Sequence, residues 1–429
     1  MTYRHFAFFF SFVMSLGAAA VPVDFDTYFS DSTLRIDYIF SGNNLTQHIA
    51  LDQMSKTAGW FGRRHNLNCL PLEGNGQLTI VDPESDDTLY RHSFSTLFQE
   101  WQETEEARHV EKSFENTFVV PMPIRPVDVI VQLVDTHRRV SSRLRHRIDP
   151  NDILIQDRSS RQQTPWHYIR KSGDPRERID VAFVAEGFAT DQMDYFLAMC
   201  DSSISALAEH EPFHSLINRF NFIAVTPVSR DNGVSIPHSG LWYDTALGSS
   251  FDTFYSNRYL TTLHIKRLYD VMTGIPFEHV IILANTPEYG GGGIYNFYNL
   301  ASARTTRFKL EVVVHEFGHS FAGLADEYAY GDDPETHYPA DTEPWEPNIT
   351  TLYDFNSKWA DLLKPGTSIP TQPDGKDLTT KVGVYEGAGY QLKGVYRPVQ
   401  ECRMKVNEVP EFCPVCQRAI AKIIKFYTE

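Results

Sequence analysis

The sequence predicts a multidomain α+β protein, an N-terminal β-sandwich followed by an α/β domain built around a histidine-bearing helix. Three observations predict it. Up to about residue 150 the apolar residues alternate with polar ones, the period of half-buried strands. From about residue 175 continuous apolar runs alternate with stretches of helical spacing, the pattern of a layered α/β domain. Within that second half, "VVVHEFGHSFAGLADEYAYG" (residues 312–331) places two histidines four apart, with a glutamate directly after the first.

The elements follow in chain order. The chain opens "MTYRHFAFFFSFVMSLGAAAVPV", in which Arg4 precedes an apolar run over residues 6–17 and three small alanines. This pattern predicts a secretory signal peptide over residues 1–20, cleaved after Ala20. The run is short for a bilayer span, and no cysteine follows for a lipid anchor. The mature chain is therefore expected to be secreted or periplasmic, without a membrane span.

"LRIDYIF" (34–40), "GQLTIVD" (76–82) and "VDVIVQLVD" (127–135) alternate as antiparallel strands do, which places a β-sandwich over residues 21–150. "QEWQETEEARHVEK" (99–112) is a charged interruption, read as a surface helix. Residues 151–174 are polar and turn-rich and read as a linker. The second domain takes residues 175–429. "IDVAFVAEGF" (179–188), "FNFIAVTPV" (220–228) and "FEHVIILAN" (277–285) read as buried strands, with helical spacing over 190–209 and 258–272.

The 429 residues carry a formal net charge of -16, which disfavours nucleic acid and anionic lipid as partners. The one basic cluster, "HRRVSSRLRHR" (137–147), lacks interleaved aromatics and reads as a solvated strand edge. The five cysteines are Cys69, Cys200, Cys402, Cys413 and Cys416. Export permits disulfides, and an odd count leaves one thiol over. The last three cluster near the C-terminus. A zinc knuckle would need a fourth ligand that the nearby sequence does not supply, so a disulfide from Cys402 to Cys413 or Cys416 is expected.

The chemistry rests on the histidine pair. Positions four apart lie on one face of an α-helix, so His315 and His319 can hold one ion. Glu316 points away from that ion but can reach a water beside it. Zinc brings the pKa of such a water towards neutrality, and a carboxylate can then take its proton. A catalytic zinc needs a third protein ligand. Gly323 can end the helix in a left-handed turn, and the chain then returns with Asp326 and Glu327. Asp326, first and shorter, is the expected third ligand, with Glu327 supporting a ligand from behind; Glu327 as the ligand is the alternative. The bare motif also fits a buried helix that happens to carry histidines. The helix-ending glycine and the acids at return distance favour the metal.

These residues carry a resemblance. "HEFGHSFAGLADEY" resembles the signature of the immunoglobulin A peptidase family of secreted zinc metallopeptidases. "GGGGIYNFY" (290–298), "YEGAGYQLKGVYRPVQECRMK" (385–405) and "FCPVCQRAI" (412–420) are also similar to that family. The resemblance implies a zincin-like catalytic domain and zinc-dependent endopeptidase activity on protein or glycoprotein substrates. It implies His315 and His319 as ligands, Glu316 as the base and Asp326 as third ligand. The metzincins, another zincin group, place their third ligand six residues past the second histidine. Here that position is Ala325, so the return turn is one residue longer. Met404 reads either as a floor beneath the metal or as an ordinary core methionine. The glycines of "GGGG" would let a substrate backbone approach an edge strand. Tyr385, Tyr390, Tyr396 and Arg397 are candidate donors to an oxyanion, with Tyr396 preferred.

Two rivals stand beside the peptidase reading. One is a glycoprotein- or glycan-binding module with a vestigial peptidase domain, which an intact Glu316 disfavours. The other is a different metal-assisted hydrolysis, such as deacetylation. The sequence does not name the physiological substrate.

Overall fold

The structure is a computed structural model that describes residues 22–302, 309–330 and 338–429. The signal peptide expected over residues 1–20 lies outside the described residues.

A one-turn helix, α1 (Phe25–Tyr28), leads into β1 (Phe29–Gly42). Then come β2 (Gln47–Ala58), β3 (Gly76–Val81), β4 (Thr88–Phe94), α2 (Leu97–Gln102), β5 (Lys112–Pro123), β6 (Val127–Val134) and β7 (Val140–Ile148). With β8 (Gln156–Asp157) they form two four-stranded sheets, ordered β5-β1-β2-β8 and β4-β3-β6-β7. The alternation read from the sequence is the alternation of burial. Leu34, Ile36, Tyr38 and Phe40 of β1 are fully buried, as are Leu78 and Ile80 of β3 and Val129, Val131 and Leu133 of β6. All join one apolar cluster.

The opposite face of β1 is buried too, but by polar partners. Arg35 donates to Asp37 at 2.8 Å and to Asp270 of the second half at 2.6 Å. The basic cluster lies on β7, the edge strand. There Arg145 and Arg147 both reach Asp128 of the neighbouring strand, and Arg145 also reaches Asp86. Charges on an exposed edge discourage pairing with another sheet.

Residues 99–112 do not form a surface helix. The helix here is α2, six residues long, capped by Thr96, whose hydroxyl accepts from the Gln99 amide. Leu97, Phe98 and Trp101 are buried in the core. The charges that suggested exposure lie mostly beyond its C-terminal end.

The second half has a six-stranded sheet ordered β13-β14-β12-β10-β11-β9. Its strands are β9 (Trp166–Arg170), β10 (Ile179–Glu186), β11 (Phe220–Val225), β12 (His279–Ala284), β13 (Gly291–Ile294) and β14 (Tyr298–Ser302). The four inner strands run parallel, and β9 and β13 are antiparallel edges. The segment 151–174, read as a linker, thus supplies β8 to one sheet and β9 to another. Burial on both faces explains the continuous apolar runs. Val181, Phe183, Ala185, Ile281 and Leu283 face a cluster shared with α3 (Met193–Ala208), α6 (Lys309–Ala322) and α7 (Pro414–Thr428). Ala182, Val184, Ile282 and Ala284 face the cluster that contains the N-terminal sheets. The two halves therefore share a core.

Between α3 and the later helices lie α4 (Phe213–Leu216) and α5 (Ile265–Val271). Helix was expected over 258–272 but begins only at Ile265. Tyr259 and Thr261 instead form isolated bridges with Gly291 and Ser250, so tertiary pairing overrides the helical spacing. A small hairpin, β15 (Tyr385–Ala388) with β16 (Gln391–Arg397), completes the fold.

His279 opens β12 and packs edge-on against Phe317, Phe321 and Tyr427. Burial, helped by the nearby His92, pushes its pKa down to about 3. The unfolded chain then binds a proton below about pH 6.5 that the folded chain refuses. His279 thus adds no acid penalty above pH 6.5 and destabilises the fold as pH falls from there towards 3. Substituting phenylalanine should remove about 2 kcal/mol of that penalty near pH 5. Urea unfolding of both proteins at pH 5 and pH 7.5 checks it; an equal stability difference at both pH values would refute it.

Candidate metal centre and active site

Helix α6 carries His315, Glu316 and His319. Val312, Val313, Val314, Phe317 and Phe321 bury its apolar side in the core. Gly323 ends it with φ +59°, and its amide donates to the His319 carbonyl at 2.9 Å. The Leu324 amide reaches back to the Gly318 carbonyl at 3.2 Å.

The returning chain is pinned on several sides. Asn348 accepts from the Ala325 amide at 2.7 Å and donates to the Ala325 carbonyl at 2.9 Å. The Gly389 amide donates to the Asp326 carbonyl, and the Glu327 amide to the Met404 carbonyl. These bonds hold the turn, one residue longer than a metzincin's, so that Asp326 faces the histidines.

His315 Nε2 lies 3.0 Å and His319 Nε2 3.3 Å from Asp326 Oδ1, and the two Nε2 atoms are 3.1 Å apart. Each Nδ1 is engaged elsewhere, that of His315 with the Arg403 carbonyl at 2.9 Å and that of His319 with the Leu324 carbonyl. With Nδ1 as donor, a neutral imidazole presents a lone pair at Nε2. Three electron-rich atoms then face one point. Bonds of about 2.0–2.1 Å to a tetrahedral zinc would set its ligand atoms roughly 3.3 Å apart. The three residues fit such an ion. Burial pushes the His319 pKa down, and Asp326 more than offsets it, raising it to about 9. The same pairing holds Asp326 far below the usual carboxylate range. In this chain the ion would take the place of that proton.

Glu316 is half-buried beside the pair, and desolvation raises its pKa. Its side chain runs along β13. A Cβ on Gly291 would stand 2.9 Å from Glu316 Cγ, and one on Gly293 would stand 2.3 Å from the Glu316 carbonyl oxygen. The glycines are thus needed by the chain's own helix, which lies against the edge strand. Gly318 serves the other side, where an added Cβ would meet Met404 Sδ at 2.7 Å. Met404 is fully buried against the helix.

Tyr396, the preferred donor, sits on β16, and its backbone exchanges bonds with Thr350. None of its described contacts is with the triad or Glu316. Tyr390, among the tyrosines of this segment, reaches the triad, donating to Asp326 Oδ2. Glu327 was expected to support a ligand from behind, and its partner Asn348 also bonds the Ala325 amide next to Asp326. The Glu327 carboxylate contacts Asn348 and Cys416, and none of its described contacts is with the histidines.

Two residues of the surroundings escaped the sequence reading. Tyr289, just before the glycines, accepts from Asn407 at 2.7 Å, and Glu316 and Asp326 both act on it electrostatically. Glu100 comes from α2 in the first half. It accepts from the Tyr259 hydroxyl, and burial raises its pKa to about 7. His319 and Glu316 are close enough to act on that charge. The only sequence hint for Glu100 was its place in an apolar turn, beside Trp101.

The model of the IgA peptidase M64 family matches residues 168–379 and 374–424, and that of the peptidase M64 N-terminus matches residues 24–145. No curated protein matches the chain. No helix among the described residues is long and apolar enough to cross a membrane. The two matches together span the first half with its two sheets and the second half with its histidine helix, and the chain belongs to the IgA peptidase M64 family, a family of metal-dependent peptidases that act on protein.

Proposed function

We propose that the protein is an exported zinc metalloendopeptidase with a zincin-type catalytic domain. The observation that carries this reading is the set of mutual distances of 3.0–3.3 Å among His315 Nε2, His319 Nε2 and Asp326 Oδ1, with Glu316 on the same helix. His315, His319 and Asp326 would hold the zinc, which when bound polarises the scissile carbonyl and acidifies water. Glu316 accepts the proton of the attacking water at its carboxylate and delivers it to the leaving amine. Its raised pKa suits it to hold that proton between the two steps.

The other residues position these groups. The Arg403 and Leu324 carbonyls fix the rings of His315 and His319, and Tyr390 fixes the Asp326 carboxylate. β13 is the last strand of the sheet; the Gly291 amide at its start donates to the Arg258 carbonyl at 3.3 Å, and an extended substrate segment would pair with the edge beyond it. Tyr289 receives a hydrogen bond from Asn407, so its own proton is free to donate to a developing oxyanion. The first half contributes Glu100 of α2, which accepts from the Tyr259 hydroxyl of the second half beside the site.

The test is cleavage of a library of protein-derived peptides, read by mass spectrometry. The expected result is a set of cuts that a chelator abolishes and added zinc restores. A folded, zinc-loaded protein that leaves the peptides and a panel of folded glycoproteins intact would sink the reading.

A further inference from the structure

Three cysteines and a glutamate meet in the core beneath the histidine site. Glu327, Cys402, Cys413 and Cys416 are all buried, and one ligand atom from each lies within 4.8 Å of the others. Glu327 is the residue after Asp326. Cys402 opens the segment that carries Arg403 and Met404. Cys413 and Cys416 flank the first turn of α7 in the sequence Cys-Pro-Val-Cys.

We propose that these four residues form a second metal site, closed and structural, that takes zinc. The sulfur spacing is the first argument. Cys402 Sγ and Cys416 Sγ are 3.8 Å apart. Tetrahedral zinc with bonds of about 2.3 Å to sulfur sets its thiolates roughly 3.8 Å apart, whereas a disulfide needs about 2.05 Å. Cys416 Sγ is 3.2 Å from Glu327 Oε1, close to the mixed sulfur–oxygen edge of the same tetrahedron.

The backbone is arranged for thiolates. The Cys413 amide points at Cys402 Sγ at 3.3 Å, and the Cys416 amide at Cys413 Sγ at 3.5 Å. Amides aimed at sulfur stabilise the charged form that binds metal.

The carboxylate supplies an independent argument. Glu327 is fully buried, and its Oε2 has no hydrogen-bond partner among the described residues. Among the described residues its Oε1 has only the Asn348 amide and the Cys416 thiol. A buried carboxylate with so few donors needs a cation or a proton. The three thiol groups beside it are themselves acids, so a divalent ion is the partner that satisfies all four.

Four protein ligands leave no open position, which marks a structural site and not a catalytic one. Its place gives it a task. The ion would tie the Asp326–Glu327 segment to the 402–404 segment and to the start of α7. Arg403 of that segment orients His315 through its carbonyl, and Met404 packs against Gly318. One ion would thereby position two elements of the other site.

The experiment counts metal and thiols in the purified full chain. The wild type should carry two zinc equivalents by mass spectrometry of the metal. A His315→Ala/His319→Ala variant, which loses the first site, should keep one. Its zinc-edge X-ray absorption should show three sulfur neighbours and one oxygen. Alkylation in denaturant with chelator should modify all five cysteines without prior reduction. One equivalent in the wild type and none in the double variant would overturn the proposal. So would a Cys402 found oxidised to Cys413 or Cys416. These outcomes leave the peptidase reading standing, because its own test is cleavage.

Discussion

Glu316→Gln is expected to abolish peptide cleavage while leaving the metal in place. The glutamate is no ligand: the mutually close atoms are His315 Nε2, His319 Nε2 and Asp326 Oδ1. Its amide replacement has nearly the same shape, so α6 should keep its packing against β13. What disappears is the carboxylate that, in the proposed mechanism, accepts a proton from water and returns it to the amine. General acid–base groups contribute roughly 10²–10⁴ in rate, about 3–5 kcal/mol of barrier. In the proposed mechanism Glu316 would serve both half-steps, so the loss should fall at the upper end. The measurements are kcat/KM on the best library peptide and zinc content by metal mass spectrometry. A variant that loses its zinc, or keeps within tenfold of wild-type activity, would contradict the assignment.

Gly293→Ala is expected to damage both stability and activity. Its Cβ would stand 2.3 Å from the Glu316 carbonyl oxygen and 2.9 Å from His319 Cβ. Backbone cannot swing aside as a side-chain tip can, so the strand and the helix must part. Overpacking of this kind costs about 1–3 kcal/mol. A shift near 1 Å in a catalytic group costs roughly 10²-fold in rate. Gly291→Ala is the contrast. Its Cβ meets the Glu316 side chain at 2.9 Å, so it should lower kcat/KM with a smaller change in Tm. Thermal unfolding and peptide kinetics on both variants separate the two effects. If Gly293→Ala unfolds at the wild-type temperature with wild-type kinetics, the close approach of β13 and α6 is not real.

Sequence reasoning read the glycines as room for a substrate at an edge strand, and the fold adds a neighbour that reading did not include. A run of four glycines announces a close approach of backbone. It does not announce what approaches. The sequence suggested a substrate; the fold shows that α6 itself fills the space beside Gly291 and Gly293. The same limit applies to the tyrosines. Tyr385 and Tyr396 lie on the strands of a short hairpin and Tyr390 in its turn, and the turn decides which one reaches Asp326. Tyr390 follows Gly389 in a left-handed turn, with φ +66° against +56°, and that turn aims its hydroxyl at Asp326.

What the sequence determined by itself was local. The spacing of His315 and His319 follows from the helical period. The end of α6 follows from Gly323, and the strands β10, β11 and β12 follow from continuous apolar runs. All depend on residues within a few positions of one another, where covalent geometry carries the information. The tertiary structure decided everything that joins distant segments. It set Asp326 towards the histidines and Glu327 away from them, because Asn348 and Met404 pin the returning chain. It brought Glu100 to the cleft across more than 150 residues, because the sheets of the first half share a core with the second. It supplied the fourth donor that the three C-terminal cysteines lacked, since Glu327 is remote in sequence but reaches Cys416 Sγ at 3.2 Å. Contacts of that range depend on how whole layers pack, and no window of the sequence contains both partners.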